Sequence, residues 1–137
     1  VDNASAYGIN GRAQIAPDAN GNVGSLFAID VATGKTLWRY DQRAGMMSSV
    51  ATGGGLIFTG DTVGHFRAFD DQTGKVLWDI SLGSPVTGYP VTYSVNGKQY
   101  VAVSVGNSLV SSGLNGLTRD LLPSTSSSIF VFALSEE

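Results

Sequence analysis

Along the 137 residues, apolar and polar side chains alternate over short stretches, and no segment keeps a three-to-four-residue apolar spacing through three turns. The alternation predicts strands over residues 25–30, Met46–Ala51, Leu56–Gly60, 65–70, 91–95 (VTYSV), 98–105 (KQYVAVSV) and 128–134 (SIFVFAL). Between VTYSV and KQYVAVSV stands Asn96-Gly97, a pair suited to the positive φ angles of a type I′ hairpin turn. Loops are expected from Asp41 to Gly45 and at the glycine run Gly53–Gly55. The first 22 residues, rich in turn formers, read as a connection. The stretch 106–128, rich in Gly, Ser, Asn and Leu, reads as a long irregular insertion.

Sliding the chain on itself by 40 residues aligns GSLFAIDVATGKTLW (Gly24 to Trp38) with GHFRAFDDQTGKVLW (Gly64 to Trp78). The pairs Gly24/Gly64, Ala28/Ala68, Asp30/Asp70, Thr33/Thr73, Gly34/Gly74, Lys35/Lys75, Leu37/Leu77 and Trp38/Trp78 are identical, eight of fifteen. A period near 40 in an all-β chain marks the blade of a β-propeller, a four-stranded unit that must stack on neighbours to bury its faces. In each copy a strand enters the DxxTGK turn and another strand leaves it. Asp30 and Asp70 are placed to accept backbone N–H bonds within the turn, and Gly34 and Gly74 to take positive φ. Trp38 and Trp78 then offer large apolar faces to the adjoining blade, each with an indole N–H that needs an acceptor.

SIFVFAL resembles the third strand of the two repeat units, so the fold expected is all-β, a partial propeller of about two and a half four-stranded blades. Residues 1–41 would end one blade, 42–81 form a full one, and 82–137 form a last blade lacking its outer strand. An open arc leaves faces and strand edges bare. The remaining blades are therefore expected from another chain or from a further segment of a precursor.

Composition fits this picture: 42% hydrophobic, 14% charged and 18 glycines. The net charge is −3 and the eight Lys and Arg are scattered, so neither nucleic acid nor an anionic membrane surface is an expected partner. Cysteine is absent, which excludes disulfides and thiolate metal sites within these residues. No apolar run approaches the eighteen residues of a membrane span, and no signal-peptide pattern begins at Val1.

The repeated AxDxxTGKxxW, present as AIDVATGKTLW and AFDDQTGKVLW, resembles the tryptophan docking motif of quinoprotein (PQQ-dependent) alcohol dehydrogenases. The run LIFTGDTVGHFRAFDDQTGKVLW, followed by GYPVTYSVNGKQYVAVSVG, is similar to the C-terminal portion of their eight-bladed propeller. The likeness covers Val23 to Gly106 and Ile129 to Leu134. It implies a periplasmic enzyme that holds pyrroloquinoline quinone (PQQ) with a calcium or lanthanide ion and oxidises an alcohol by hydride transfer to the quinone. Electrons then leave to a cytochrome or another acceptor. The family's catalytic aspartate, metal ligands, ring-stacking tryptophan and vicinal cysteines belong to earlier blades, so no catalytic or metal residue is assigned here.

One contact carried by the resemblance falls inside the chain. The stretch AGMMSSVATGGGLIFTG is similar to a segment whose start dips toward the cofactor, where the family has Trp-Gly-Gly or Trp-Asn-Gly-Gly. Met46, Met47 and Ser48 stand there instead and are the expected cofactor-binding residues, polarisable thioethers replacing an aromatic neighbour. A plain core role between blades is the alternative for the two methionines. His65, the only histidine, is expected to make a surface or turn hydrogen bond. The carboxylate pairs Asp70-Asp71 and Glu136-Glu137 are read as a turn and a solvated tail, and Gly53–Gly55 as a hairpin turn, since no phosphate-loop GK[ST] follows. The irregular stretch Leu109 to Pro123 is a candidate cover for the cofactor face or a partner surface. The competing function is a non-catalytic PQQ-repeat propeller that scaffolds envelope assembly. A WD-repeat module fits poorly, because Gly-His and Trp-Asp occur only in the second copy (Gly64-His65 and Trp78-Asp79), while the first has Gly24-Ser25 and Trp38-Arg39.

Overall fold

A computed structural model of the chain describes residues 14–52 and 54–133. Among them three antiparallel sheets follow one another along the sequence. The first pairs β1 (Gly24–Ile29) with β2 (Thr36–Gln42). The second is a four-stranded meander of β3 (Met46–Ala51), β4 (Leu56–Asp61), β5 (His65–Asp70) and β6 (Val76–Ser81). In the third, β7 (Val91–Val95) and β8 (Lys98–Val105) pair across the Asn96-Gly97 turn, and β9 (Ser128–Ala133) adds to β8. Asn96 and Gly97 have φ of 51° and 79°, as a type I′ turn requires. This is the partial propeller read from the repeat.

The repeated turn works by local chemistry. Asp30 Oδ1 accepts from the N–H groups of Ala32 and Thr33, and Asp70 Oδ1 accepts from those of Gln72 and Thr73. Gly34 and Gly74 both have φ of 69°, the left-handed region that glycine enters freely. Just beyond each turn the register slips by one residue, leaving Leu37 and Leu77 as bulges opposite the Ala28–Ile29 and Ala68–Phe69 steps.

Trp38 leaves its own sheet and lies on the turn of the next. Its Nε1–H donates to the Asp71 carbonyl at 2.8 Å, and a Cβ on Gly74 would stand 2.6 Å from the indole carbons Cδ2 and Cε3. Only a glycine lets the ring come so close. Tyr40 extends the same seam edge-on to Phe69, with centroids 4.9 Å apart. At the following seam Trp78 meets Phe132 of β9 (5.2 Å) and Phe66 of β5 (5.9 Å). Both tryptophans thus sit between adjoining sheets. No acceptor for the Trp78 N–H appears among the described residues, where the third sheet has no DxxTGK turn.

The core lies between the second and third sheets, where Phe66, Val86, Val101, Val103 and Val105 are buried against Phe58, Ile80, Leu82, Phe130 and Phe132. β5 is covered on both faces. The outer sheets are not: Phe27 and Ile29 of β1, and Val91, Tyr93, Val95, Ile129 and Val131 of the third sheet, are exposed.

Two expectations change. The loop expected from Asp41 to Gly45 shortens, because Asp41 and Gln42 continue β2 opposite Ser25 and Gly24, with Ser25 Oγ donating to Asp41 at 2.6 Å. The stretch 106–128 is not wholly irregular, for it contains helix α1 (Leu109–Asn115). Ser108 caps it, its Oγ accepting from the Ser111 N–H while Ser111 Oγ accepts from the Ser108 N–H. At seven residues the helix is shorter than the three turns over which apolar periodicity was sought. Gly53, Leu134 and the Glu136-Glu137 pair lie outside the described residues.

Candidate functional site

Because each hairpin reverses the chain, the DxxTGK turns, Thr52, Gly54, Gly55 and Asn96-Gly97 share one end of the sheets. Residues 43–45, 62–64, 82–90 and 106–127 share the other. At this second end the start of β3 is bulged. Met46 pairs with Asp61 and Ser48 with Gly60, so Met47 has no partner in the ladder and its side chain is re-aimed. Gly24 of β1 crosses directly above, where a Cβ would stand 2.8 Å from Met46 Cγ and collide with the Ala44 carbonyl.

The result is an open pocket of about 310 Å³ at the seam between the first two sheets. Met46, Met47, Ser48 and Ser49 of β3 and Thr59 of β4 form one side, Ser25 and Leu26 of β1 another, and Tyr89 the rim. Both methionines are half-buried. Ser48 is buried and donates its hydroxyl to the Gly88 carbonyl at 2.9 Å, while its own carbonyl accepts from Thr59 Oγ1. Its Oγ therefore offers the pocket only an acceptor. Tyr89 is 75% exposed.

Beside the pocket runs a polar network, buried at Asp61 and Arg67 and open to solvent at Asp79. Arg67 Nη1 donates to Asp61 Oδ2 at 2.8 Å and to Gln42 Oε1 at 2.9 Å, and Arg67 Nε donates to Asp79 Oδ2 at 2.8 Å. Asp61 also accepts from the N–H groups of Val63 and His65. Burial works against the charge on Arg67, yet its bonds to Asp61 and Asp79 outweigh this and raise its pKa. Partial burial likewise opposes ionisation of Asp79, but hydrogen bonds from His65 and Arg67 hold its carboxyl below the usual range. Every ionised group here has a partner, which is the condition for keeping charge inside. Through Gln42 the network also ties the first sheet to the second.

Residues 42–101 match a protein-family model described as the glucose/ethanol/alcohol dehydrogenase β-propeller domain, of the PQQ type. The quinoprotein ethanol dehydrogenase of Pseudomonas putida is 43% identical over 86 residues, 62% of this chain and 14% of that protein. A 1-butanol dehydrogenase (cytochrome c) of Thauera butanivorans is 35% identical over 119 residues, 86% of this chain and 17% of that protein. Among solved structures, a europium-containing methanol dehydrogenase superposes on 80% of this chain and 23% of its own, with TM-score 0.69 and 32% identity. The chain is similar to the quinoprotein alcohol dehydrogenases. It spans about one seventh of the length of the first of these relatives.

Against that quinoprotein likeness, the three expected cofactor residues do come together in space, on one wall of one pocket. A wall of thioethers and hydroxyls fits the face of a flat quinone ring, and the volume is at the small end of ligand sites. It offers no cationic side chain for the quinone's carboxylates. Among the described residues no cluster of three or more His, Cys, Asp or Glu could hold a metal ion. His65 makes the surface hydrogen bond expected of it, Nδ1 lying 2.7 Å from Asp79 Oδ1. The Asp70 carboxylate serves the turn as expected, and the Asp71 carbonyl receives Trp38. Sequence reading missed Tyr89, Thr59 and the Gln42–Asp61–Arg67 network. One signal was available, since Arg67 stands where the first repeat has Phe27, a charge at a position meant to be covered.

Proposed function

We propose that this chain is part of a PQQ-dependent dehydrogenase that oxidises an alcohol to an aldehyde or ketone. The observation that carries the reading is the bulge that turns Met47, beside Met46, into a seam pocket within the segment matching the dehydrogenase propeller domain. In such an enzyme, hydride acceptance and release of electrons are the quinone's chemistry. This chain's part is physical. Met46 and Met47 give a soft apolar wall against the ring, Gly24 keeps that wall accessible by having no side chain, and Ser48 braces β3 against Gly88.

The exposed apolar faces of the first and third sheets favour further blades on both sides, in an eight-bladed ring divided near residues 41 and 81. Those blades would supply the calcium or lanthanide ligands, the catalytic base and the cationic partners of the quinone. Among the described residues no helix is long and apolar enough to cross a membrane. A periplasmic location and a cytochrome as electron acceptor are part of this proposal, supported by the family likeness.

The test is a spectroscopic titration of the purified full-length protein with PQQ, with and without calcium, repeated for Met46→Ala and Met47→Ala. A sulfur–aromatic contact is worth about 0.3–1.5 kcal/mol, so each variant should bind PQQ about two- to tenfold more weakly. Unchanged affinity and turnover in both variants would remove the methionines from the site.

A further inference from the structure

The connection from β8 to β9, residues 106–127, folds back onto the same end of the sheets as the Met46–Met47 pocket without lining it. Its lower part is anchored beside the 82–90 connection: the Gly106 N–H donates to the Pro85 carbonyl at 2.8 Å, and the Ser124 N–H to the Gly83 carbonyl at 2.7 Å. Its upper part reaches the residues that flank the Met46–Asp61 pair. Arg43 forks onto Asp120, with Nη2 to Oδ1 at 2.7 Å. Leu114 covers Gly45, where a Cβ would stand 2.8 Å from Leu114 Cδ1. Asn115 Nδ2 donates to the Thr62 carbonyl at 3.1 Å, and the Thr62 N–H donates in turn to the Gly45 carbonyl.

These contacts share a location. Arg43 and Gly45 lie just before Met46, and Thr62 just after Asp61, the residue paired with Met46. The bulge has lost one rung of its ladder, so what fixes the direction of Met47 must come from outside β3. We propose that the 106–127 connection is a positioning element for the pocket: through Arg43–Asp120, Leu114–Gly45 and Asn115–Thr62 it holds the bulged start of β3 in its ligand-binding shape. This rests on the reading that the pocket takes PQQ. The Arg43–Asp120 pair is the adjustable tie, because its side chains are 53% and 57% exposed and can be altered without opening the core.

The experiment uses Asp120→Asn, Arg43→Ala and the charge exchange Arg43→Asp with Asp120→Arg, in the full chain. Two quantities are read: hydrogen exchange of the Met46–Ser48 amides, and the dissociation constant for PQQ. Asp70→Ala, in a turn at the opposite end, serves as the control, expected to lower stability while leaving PQQ affinity alone. An exposed ion pair holding a binding loop is worth about a two- to fivefold change in affinity. Either single variant should therefore speed exchange at 46–48 and weaken PQQ by that factor, and the charge exchange should restore most of both. Unchanged exchange overturns the tie. Faster exchange with unchanged PQQ affinity overturns the positioning role. Failure of the unaltered protein to bind PQQ overturns the cofactor reading itself, and this inference with it.

Discussion

Alanine at Gly74 should separate the two reasons for having glycine there. Its φ of 69° places any L-residue in the left-handed region, at a cost of about 1–2 kcal/mol. The Cβ would also stand 2.6 Å from two carbons of the Trp38 indole, so the ring must move. Overpacking of this kind costs about 1–3 kcal/mol. Moving the ring endangers the 2.8 Å bond to the Asp71 carbonyl as well, worth about 1 kcal/mol. Gly74→Ala should thus destabilise by about 2–5 kcal/mol through backbone and overpacking together, read from urea unfolding followed by circular dichroism.

The decisive measurement is the cycle with Trp38→Ala. Once the indole is gone the new Cβ has room, and only the backbone cost of about 1–2 kcal/mol remains. The two substitutions should then couple by about 1–3 kcal/mol, within the range seen for residues in contact. Trp38→Phe isolates the N–H, keeping an aromatic face and losing about 1 kcal/mol. Additivity within about 0.5 kcal/mol would refute the docking of Trp38 on Gly74.

Gly34 has the same φ with nothing within 4 Å of its would-be Cβ. In the full protein Gly34→Ala should cost as much as Gly74→Ala, because a preceding blade would dock its own outer-strand side chain there; a backbone-sized loss alone would count against that blade. Arg67→Ala leaves the buried Asp61 carboxylate without its cation and should cost about 3–5 kcal/mol in chemical unfolding, whereas a loss below about 1 kcal/mol would mean Asp61 is supported by its N–H donors alone. Asp70, Asp79 and Asp120 are all held below the ordinary carboxylate value, so their charged forms are favoured in the folded state. The stability they contribute is present above that value and drains away as pH falls through and below it, from about pH 5 downward. Thermal midpoints measured between neutrality and acid should show this decline, and Asp79→Asn should lower the neutral midpoint while flattening the acid slope.

The turn end of the molecule was legible because its chemistry is local. Asp30 and Asp70 find their N–H donors two and three residues on, and Gly34 and Gly74 answer a φ requirement of their own backbone. A side chain that must place a face between sheets was legible as well, so Trp38 and Trp78 were expected at seams. The partner of the Trp38 N–H was not, for Asp71 is 33 residues away and contributes only its carbonyl, which every residue has. Helix α1 escaped notice because it has two turns and a cap built from two serines in a serine-rich stretch. The Arg67 network is a long-range arrangement whose members come from four strands, β2, β4, β5 and β6.

The 40-residue period and the candidate site divide the same sheets between them. At the turn end the two DxxTGK copies keep the same Asp, Thr, Gly and Lys, since those positions meet the same local demands. At the other end the connections run 43–45, 62–64, 82–90 and 106–127, the last two much longer than the first two and sharing no pattern. A repeat alone would need no such variety: a tie of the 43–45 kind already joins one sheet to the next. The longer connections instead bring Tyr89 to the pocket rim and Leu114, Asn115 and Asp120 to Gly45, Thr62 and Arg43, on either side of the Met46–Asp61 pair. Each leaves the scaffold intact while changing what lies at one seam, as expected when connections rather than strands carry function. Exchange of residues 106–127 for a short turn should therefore leave the seam of Trp38 and Gly74 as stable as before while altering PQQ affinity. Loss of the Trp38 seam together with the pocket would show that the two ends are not separable.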